Sequence, residues 1–301
     1  QKNDITKLGI KALPKGSTIA VGDSFNFDPE IIQTKLGKGK TTGVVWWEVN
    51  QQTNTTGVTS SRYGHVYPVY AGSFEIRALA FANTKNLNAW KTDKAAGEKY
   101  ITASTEWVKI QVTSDKEGYA VARTQSQLNA ALANRDCTDI HIVTDKETNF
   151  IIKPYNYTRR TLTINAPNAD VDNSGRFKQI NVEQIKDSTF FERAVGNFFR
   201  FTAPNARLVV ADKAQVKNVT FAPSAAIAAP KLNIVGGGGS IANVSIAAKG
   251  EVKLSGDTKE AVPVVVEETA AGAKVAAEVT VVLNVNADVV IETAKAAVES
   301  I

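Results

Sequence analysis

The stretch LTINAPNADV, Leu162 to Val171, decides how the second half of this chain folds. Apolar residues alternate through Leu162 and Ile164, a small polar corner follows at Ala166, Pro167 and Asn168, and Val171 resumes the apolar pattern. The unit therefore reads strand, corner, strand. It returns as FRFTAPNARL at Phe199 to Leu208, VSIAAKGEV at Val244 to Val252 and VVLNVNADV at Val281 to Val289. Ala166 and Ala203 stand 37 residues apart, as do Val244 and Val281, and a fixed period puts repeat architecture first.

A second element threads between these copies: FKQINV at Phe177 to Val182, VKNVTF at Val216 to Phe221 and IANVSI at Ile241 to Ile246. Strands this short cannot each bury a core and must stack on neighbours. A 37-residue period then corresponds to two turns of a parallel β-helix of roughly 18 to 20 residues each. No LxxLxL signature supports a leucine-rich repeat, and the richness in Val, Ile, Thr and Asn with frequent Gly excludes helical repeats. Asn168, Asn205 and Asn286 fall at matching corners, where Asn tolerates the left-handed conformation and bonds locally, so they are read as turn residues rather than ligands.

Composition bounds the rest. With 301 residues the chain has room for two cores, and 43% apolar content argues against disorder. The net charge of +5 is spread over many lysines; no basic run with interleaved aromatics is read, so nucleic acid is not expected as a partner. Mild basicity fits acidic glycans. The one cysteine, Cys137, has no partner for an internal disulfide and reads as a small buried residue; with no methionine at all, the chain suits an oxidising exterior. No run of 18 apolar residues predicts a membrane span. A start at Gln1 looks like a chain whose signal peptide has gone, which places it outside the cell or on its surface.

The first part reads as strands separated by turns: Ile5 to Ile10, Ser17 to Phe27, Gly43 to Asn50, Gly64 to Tyr70, Ser73 to Phe81 and Thr105 to Val112. Within it, GSTIAVGDSFNF, VVWWEV and GHVYPVYAGSFEIRALAF resemble the bacterial immunoglobulin-like domains of surface proteins, over about the first 112 residues. The resemblance implies a β-sandwich at 1–113; the insertion Asn83 to Gly97 is longer than a plain hairpin. Adjacent Trp46 and Trp47 point to opposite faces of their strand. One belongs to the core, and the other, with Tyr63 and Tyr67 on a neighbouring strand, is a candidate platform for a sugar ring.

After a linker at 114–118, the period changes. Thr124 with Gln127 forms a capping box, and Leu128, Ala131 and Leu132 make one stripe of a short helix over 124–134, placed to cover the raw end of a solenoid. This QLNAAL helix followed by the strand IHIVTD resembles the pectate-lyase-like β-helices, which implies a right-handed parallel β-helix over 119–301 and says little about activity. The fold class expected is all-β, an immunoglobulin-like sandwich plus a capped right-handed β-helix.

The aromatic stretch TFFERAVGNFFRF, Thr189 to Phe201, must largely pack, and Arg193 and Arg200 mark where it surfaces as candidate ligand contacts. Gly236 to Gly239 lack the GK[ST] ending of a phosphate loop and read as a loop between coils. Glu292 to Ser300 reads as a short closing helix. Chemistry is sparse: Asp170 and Asp172 lack the partners of a calcium loop, His65 and His141 lie apart, and no nucleophile, metal or cofactor motif is found. The expectation is a non-catalytic bacterial protein for adhesion, glycan binding or display, with no cofactor. The rival classes are a self-assembling surface-layer or fibre subunit, associating through solenoid ends, and a polysaccharide lyase or hydrolase.

Overall fold

The computed structural model describes residues 2–185 and 188–293. The chain divides into two units, Gln1–Val121 and Ala122–Ile301, and the division falls inside the short strand Tyr119–Ala122. Strand makes up 51% of the described residues and helix 11%, so the chain is mostly β with helical insertions rather than all-β.

The second unit is a parallel β-solenoid. Two sheets run along it, and each coil gives one strand to each sheet before the chain climbs to the next. In the first sheet Leu162, Ile180, Phe199, Val219, Val244, Val264 and Leu283 stand in register, successive partners lying 18 to 25 residues apart. The quoted stretch bridges the sheets: it begins in strand Asn156–Asn165, turns at its Ala-Pro-Asn corner and ends in strand Ala169–Asn173. Its copies occupy alternate coils, which explains the 37-residue spacing of the first two. The last pair is offset, because Val244 aligns with Leu283 and Val281 pairs with Val262. VKNVTF and IANVSI lie on adjacent coils, with Val216 beside Ile241 and Val219 beside Val244.

Alternation puts every second residue inside. Phe190 from one sheet meets Phe199 from the other edge to face, centroids 5.1 Å apart, and Phe177, Phe201 and Phe221 fill neighbouring layers. Phe191 is half-buried and Phe198 is exposed, so the aromatic stretch is not wholly internal. Corner Asn side chains hold the preceding coil: Asn168 donates to the Asp145 carbonyl at 2.7 Å and Asn286 to the Val266 carbonyl at 3.1 Å. The tetraglycine run exists because coils approach closely there. A Cβ on Gly236 would stand 2.2 Å from the Asp257 carbonyl oxygen.

The helix of this unit spans Gln125–Ala133, and Thr124 accepts the Gln127 amide at 3.2 Å. Gln127 closes the box one residue further back than expected, accepting the Arg123 amide at 2.7 Å. Leu128, Ala131 and Leu132 are buried. At the other end Val290–Thr293 is a strand, so Glu292 is not helical; the remainder of the expected closing helix lies outside the described residues.

In the first unit a five-stranded sheet runs in the order Thr18–Ala20, Val108–Thr113, Gly72–Phe81, Val44–Val49, with Ile101–Ser104 beside the end of Gly72–Phe81. Thr18–Ala20 runs parallel to Val108–Thr113, and the other pairs are antiparallel. Ile5–Ile10 pairs with Pro29–Thr34, and Phe25–Asn26 with His65–Val66. The expected long strands at Ser17 to Phe27 and Gly64 to Tyr70 are thus cut to short pieces. Residues 83–100 are largely helical: Thr84–Thr92, capped by Asn83, then Lys94–Gly97 and a 3-10 turn at Glu98–Tyr100. Trp90 and Leu87 of the first helix pack with Phe81 and Leu79 of the sheet.

Candidate functional site

The residues singled out in the sequence separate. Trp46, Trp47, Tyr63 and Tyr67 belong to the first unit and Arg193 and Arg200 to the second. Trp47 is 1% exposed, lies opposite Ala78 and packs on Phe27 with centroids 5.5 Å apart, so it is the core tryptophan. Trp46 is half-buried on the other face, against the cluster of Leu79, Phe81, Leu87 and Trp90, with the Lys91 ammonium 4.2 Å over its ring. The inserted helix is its cover. Tyr63 and Tyr67 flank the two-residue strand His65–Val66, and both are exposed while Gly64 and Val66 between them are buried. Arg193 binds Asp172 through two hydrogen bonds, at 2.7 and 3.1 Å. Arg200 stands on the solvent side of its sheet between Asn181 and Thr220.

A different constellation stands out. A groove of about 1030 Å³ runs beside the helix and the first coils of the solenoid, wholly within the second unit. The helix contributes Gln125, Asn129 and, just past its end, Arg135. Strand Thr148–Ile152 contributes Asn149 and Ile151, followed by Lys153. The segment Tyr155 to Arg160, entering the next strand, forms the rest of the wall.

The local chemistry explains why these elements meet. Thr148–Ile152 is the first strand of its sheet and has no coil before it. The Gln125 side chain stands in for the missing strand: its oxygen accepts the Ile151 amide at 2.7 Å and its nitrogen donates to the Ile151 carbonyl at 2.9 Å. Arg160, buried, donates to the helix-terminal carbonyls of Ala131 and Leu132, at 3.2 and 2.7 Å, where a cation also suits the helix dipole.

The groove is electropositive and aromatic. Arg135, Lys153 and Arg159 are exposed along it, Arg160 lies beneath, and no carboxylate is among its described lining residues. Tyr155, 65% exposed, leans on Tyr157 with centroids 5.0 Å apart, and Tyr157 stacks on Phe177 at 5.1 Å and 27°. Burial pushes the Tyr157 phenol above its ordinary range, so the ring meets a ligand uncharged. Burial likewise pushes the nearby Cys137 thiol up to about 11, opposed in part by Arg160, which leaves it protonated and inert.

The arrangement sets cations, amides and aromatic rings along one groove, and its described lining holds no carboxyl pair. A signal for it stood in the sequence, since KPYNYTRR, Lys153 to Arg160, sets three cations around two tyrosines. The expectation that no basic run carries interleaved aromatics is corrected by that stretch. Gln125 and Arg135 had no such signal, because only the docking of the helix brings them to it.

No family model matches the chain, and neither a curated protein nor a solved structure matches it. The class is defined by fold and site alone: a two-unit chain whose second unit is a parallel β-solenoid with a cationic, tyrosine-lined groove at its first coils.

Proposed function

We propose that this chain is a non-catalytic bacterial extracellular or cell-surface protein for adhesion, glycan attachment or display, and that it holds an anionic saccharide chain in the groove. The observation that carries the reading is the lining: exposed cations, a tyrosine pair and three asparagines, with no carboxylate among the described residues. Sugar rings stack on exposed aromatic faces, side-chain amides serve hydroxyls from both sides, and guanidinium groups take carboxylate or sulfate in two-pronged contacts. A single-stranded nucleic acid also stacks on aromatic rings. The three amides Asn129, Asn149 and Asn156 favour a hydroxyl-rich ligand over a phosphate backbone.

The same reading takes the helix at Gln125–Ala133 as the cap of a right-handed solenoid akin to the pectate-lyase-like β-helices. Its buried apolar stripe and the Gln125 contact to an otherwise unpaired strand support this. It takes the first unit as an immunoglobulin-like sandwich, supported by the parallel pairing of an early strand with Val108–Thr113 and by Trp47 on a buried strand face.

Binding of fluorescent dextran sulfate and polygalacturonate oligosaccharides tests the proposal, with neutral dextran and oligothymidylate as controls. Both anionic saccharides are expected to bind, less tightly as salt rises. Tyr155→Ala should cost about 1 kcal/mol, roughly fivefold, and Arg159→Glu more than that, with melting temperatures unchanged. Failure of every saccharide to bind, or tighter binding of the oligonucleotide, overturns it.

A further inference from the structure

Beneath the groove lies a buried polar cluster that the groove's own chemistry does not use. Glu192, Asn173 and Asn197 are each 0% exposed inside the solenoid. One Glu192 oxygen accepts the Ala194 amide at 2.9 Å and the Asn173 side-chain amide at 3.1 Å; the other accepts the Asn197 side-chain amide at 2.8 Å. The orientation of both asparagines is forced. Asn173 Oδ1 accepts the Gly175 N–H at 2.9 Å and Asn197 Oδ1 accepts the Phe177 N–H at 2.8 Å, so each must turn its NH₂ to the carboxyl. Both NH₂ groups also donate to the Gly175 carbonyl, at 2.8 and 2.9 Å. The corner from Asn173 to Phe177 is thereby held by these side chains in addition to backbone bonds to the preceding coil, from Ser174 N–H to the Ile152 carbonyl at 2.8 Å and from Arg176 N–H to the Tyr155 carbonyl at 3.0 Å.

That corner is the floor of the tyrosine pair. Phe177 stacks on Tyr157, and Gly175 lies so close that a Cβ there would stand 3.0 Å from the Tyr157 ring. Every hydrogen bond named at Glu192 is donated to it, a pattern that suits a carboxylate. Protonation would place an O–H against NH₂ groups that are themselves donors. An amide that turns its oxygen to this O–H relieves the conflict, and when Asn197 turns it withdraws its oxygen from the Phe177 N–H.

We propose that Glu192, acting through Asn197, is a proton-operated positioning residue for the tyrosine pair: ionised, it fixes the Asn197 oxygen on the Phe177 N–H beneath Tyr157, and protonated, it loosens that hold. Burial without a cation pushes this carboxyl up to about 7, against the hydrogen bonds from Ala194, Asn197 and Asn173 that pull it down. The charged groups on the packed strands face solvent instead. Asp172 pairs with Arg193, Asp170 accepts the Thr189 amide, and Arg207 donates to the Thr189 hydroxyl. Arg176, Lys178, Glu183 and Arg200 are exposed. The described groove lining itself holds only Arg, Lys, Tyr, amide, hydroxyl and apolar side chains, with no carboxyl or imidazole among them.

The switch stands by itself; its effect on ligand affinity rests on the groove being the saccharide site. The experiment follows ¹³C signals of the Glu192 carboxyl and the Tyr157 ring in the wild-type protein from about pH 5 to pH 8, a range that brackets the expected midpoint. Both are expected to move with one midpoint, and the Tyr157 shift should vanish in Glu192→Gln. Dextran sulfate, whose charge does not change over this range, should bind several-fold more tightly at the upper end, and Glu192→Gln should abolish that dependence. A Tyr157 signal that does not titrate with Glu192 overturns the inference, whether or not the variant folds. A titrating Tyr157 with no saccharide binding at any pH upholds the switch and sinks the proposed ligand class. Binding that is independent of pH beside a titrating Tyr157 overturns the coupling between switch and groove.

Discussion

Trp46 and Trp47 are neighbours on one strand with opposite fates, because successive side chains leave a strand on opposite faces. The sequence shows that they must part; which one enters the core follows only from what lies against each face. Trp47 meets Phe27, and Trp46 meets the inserted helix. Trp47→Ala should therefore cost about 3 to 5 kcal/mol as a core truncation, while Trp46→Ala, half-buried and next to Lys91, should cost about 1 to 2 kcal/mol. Urea melts of the two variants check this, and equal losses would contradict it. Glu192 makes a second prediction at this scale. Its carboxyl is raised from 4.5 to about 7 on folding, so between those values the folded chain holds a proton that the unfolded chain has released. Stability from this group is fullest below about pH 4.5, declines as pH rises to about 7 and is level above, a change of roughly 3 kcal/mol. The difference between wild type and Glu192→Gln, measured as unfolding free energy against pH, should follow that curve; a flat difference would refute the shift. Alternation puts Glu192 on the same face as Phe190, but only stacking of the coils takes the carboxyl out of water.

Among the elements, those with local signals were legible. Ile5–Ile10 matches its expected bounds and the helix at Gln125–Ala133 lies one residue inside them at each end, since alternation, a capping residue and an apolar stripe each act over a few residues. Pro29–Thr34 carried no such signal: Ile31 and Ile32 are both exposed, so the strand alternates on neither face. It is held by antiparallel pairing with Ile5–Ile10. The insertion is helical because Asn83 caps it and Leu87 and Trp90 fall on one face. That pattern was present in the sequence but was hidden among Lys, Asn and Ala. The helix at Gln125–Ala133 gives the prediction at this scale. Leu128→Lys together with Leu132→Lys should strip it from the solenoid and cause association of the exposed end, seen as a larger species in light scattering. Gln125→Ala should cost about 1 to 2 kcal/mol by leaving the Ile151 backbone unpaired. A double lysine variant that stays monomeric and equally stable would show that the helix is not a cap.

Across the whole molecule, a solenoid is a sum of neighbour contacts, so the second unit should not need the first to fold. Residues 118–301 expressed alone are expected to give a β-type circular dichroism spectrum and a cooperative melt; an aggregated product would mean that the cap lies elsewhere. The amino-acid sequence by itself determined the coil. Alternation sets which residues face inward, Ala-Pro-Asn corners set where the chain turns, and both are properties of a few consecutive residues, so the period could be read without a structure. The tertiary structure decided the groove and the state of Glu192. Gln125 and Arg135 come to Lys153, Tyr155 and Arg159 only because the helix packs beside the first coils, and a sequence pattern carries no record of that approach. The carboxyl at Glu192 is displaced because stacked coils exclude water from it while supplying neutral donors and no cation. Desolvation is a sum over all surrounding atoms, and no short stretch of sequence contains it.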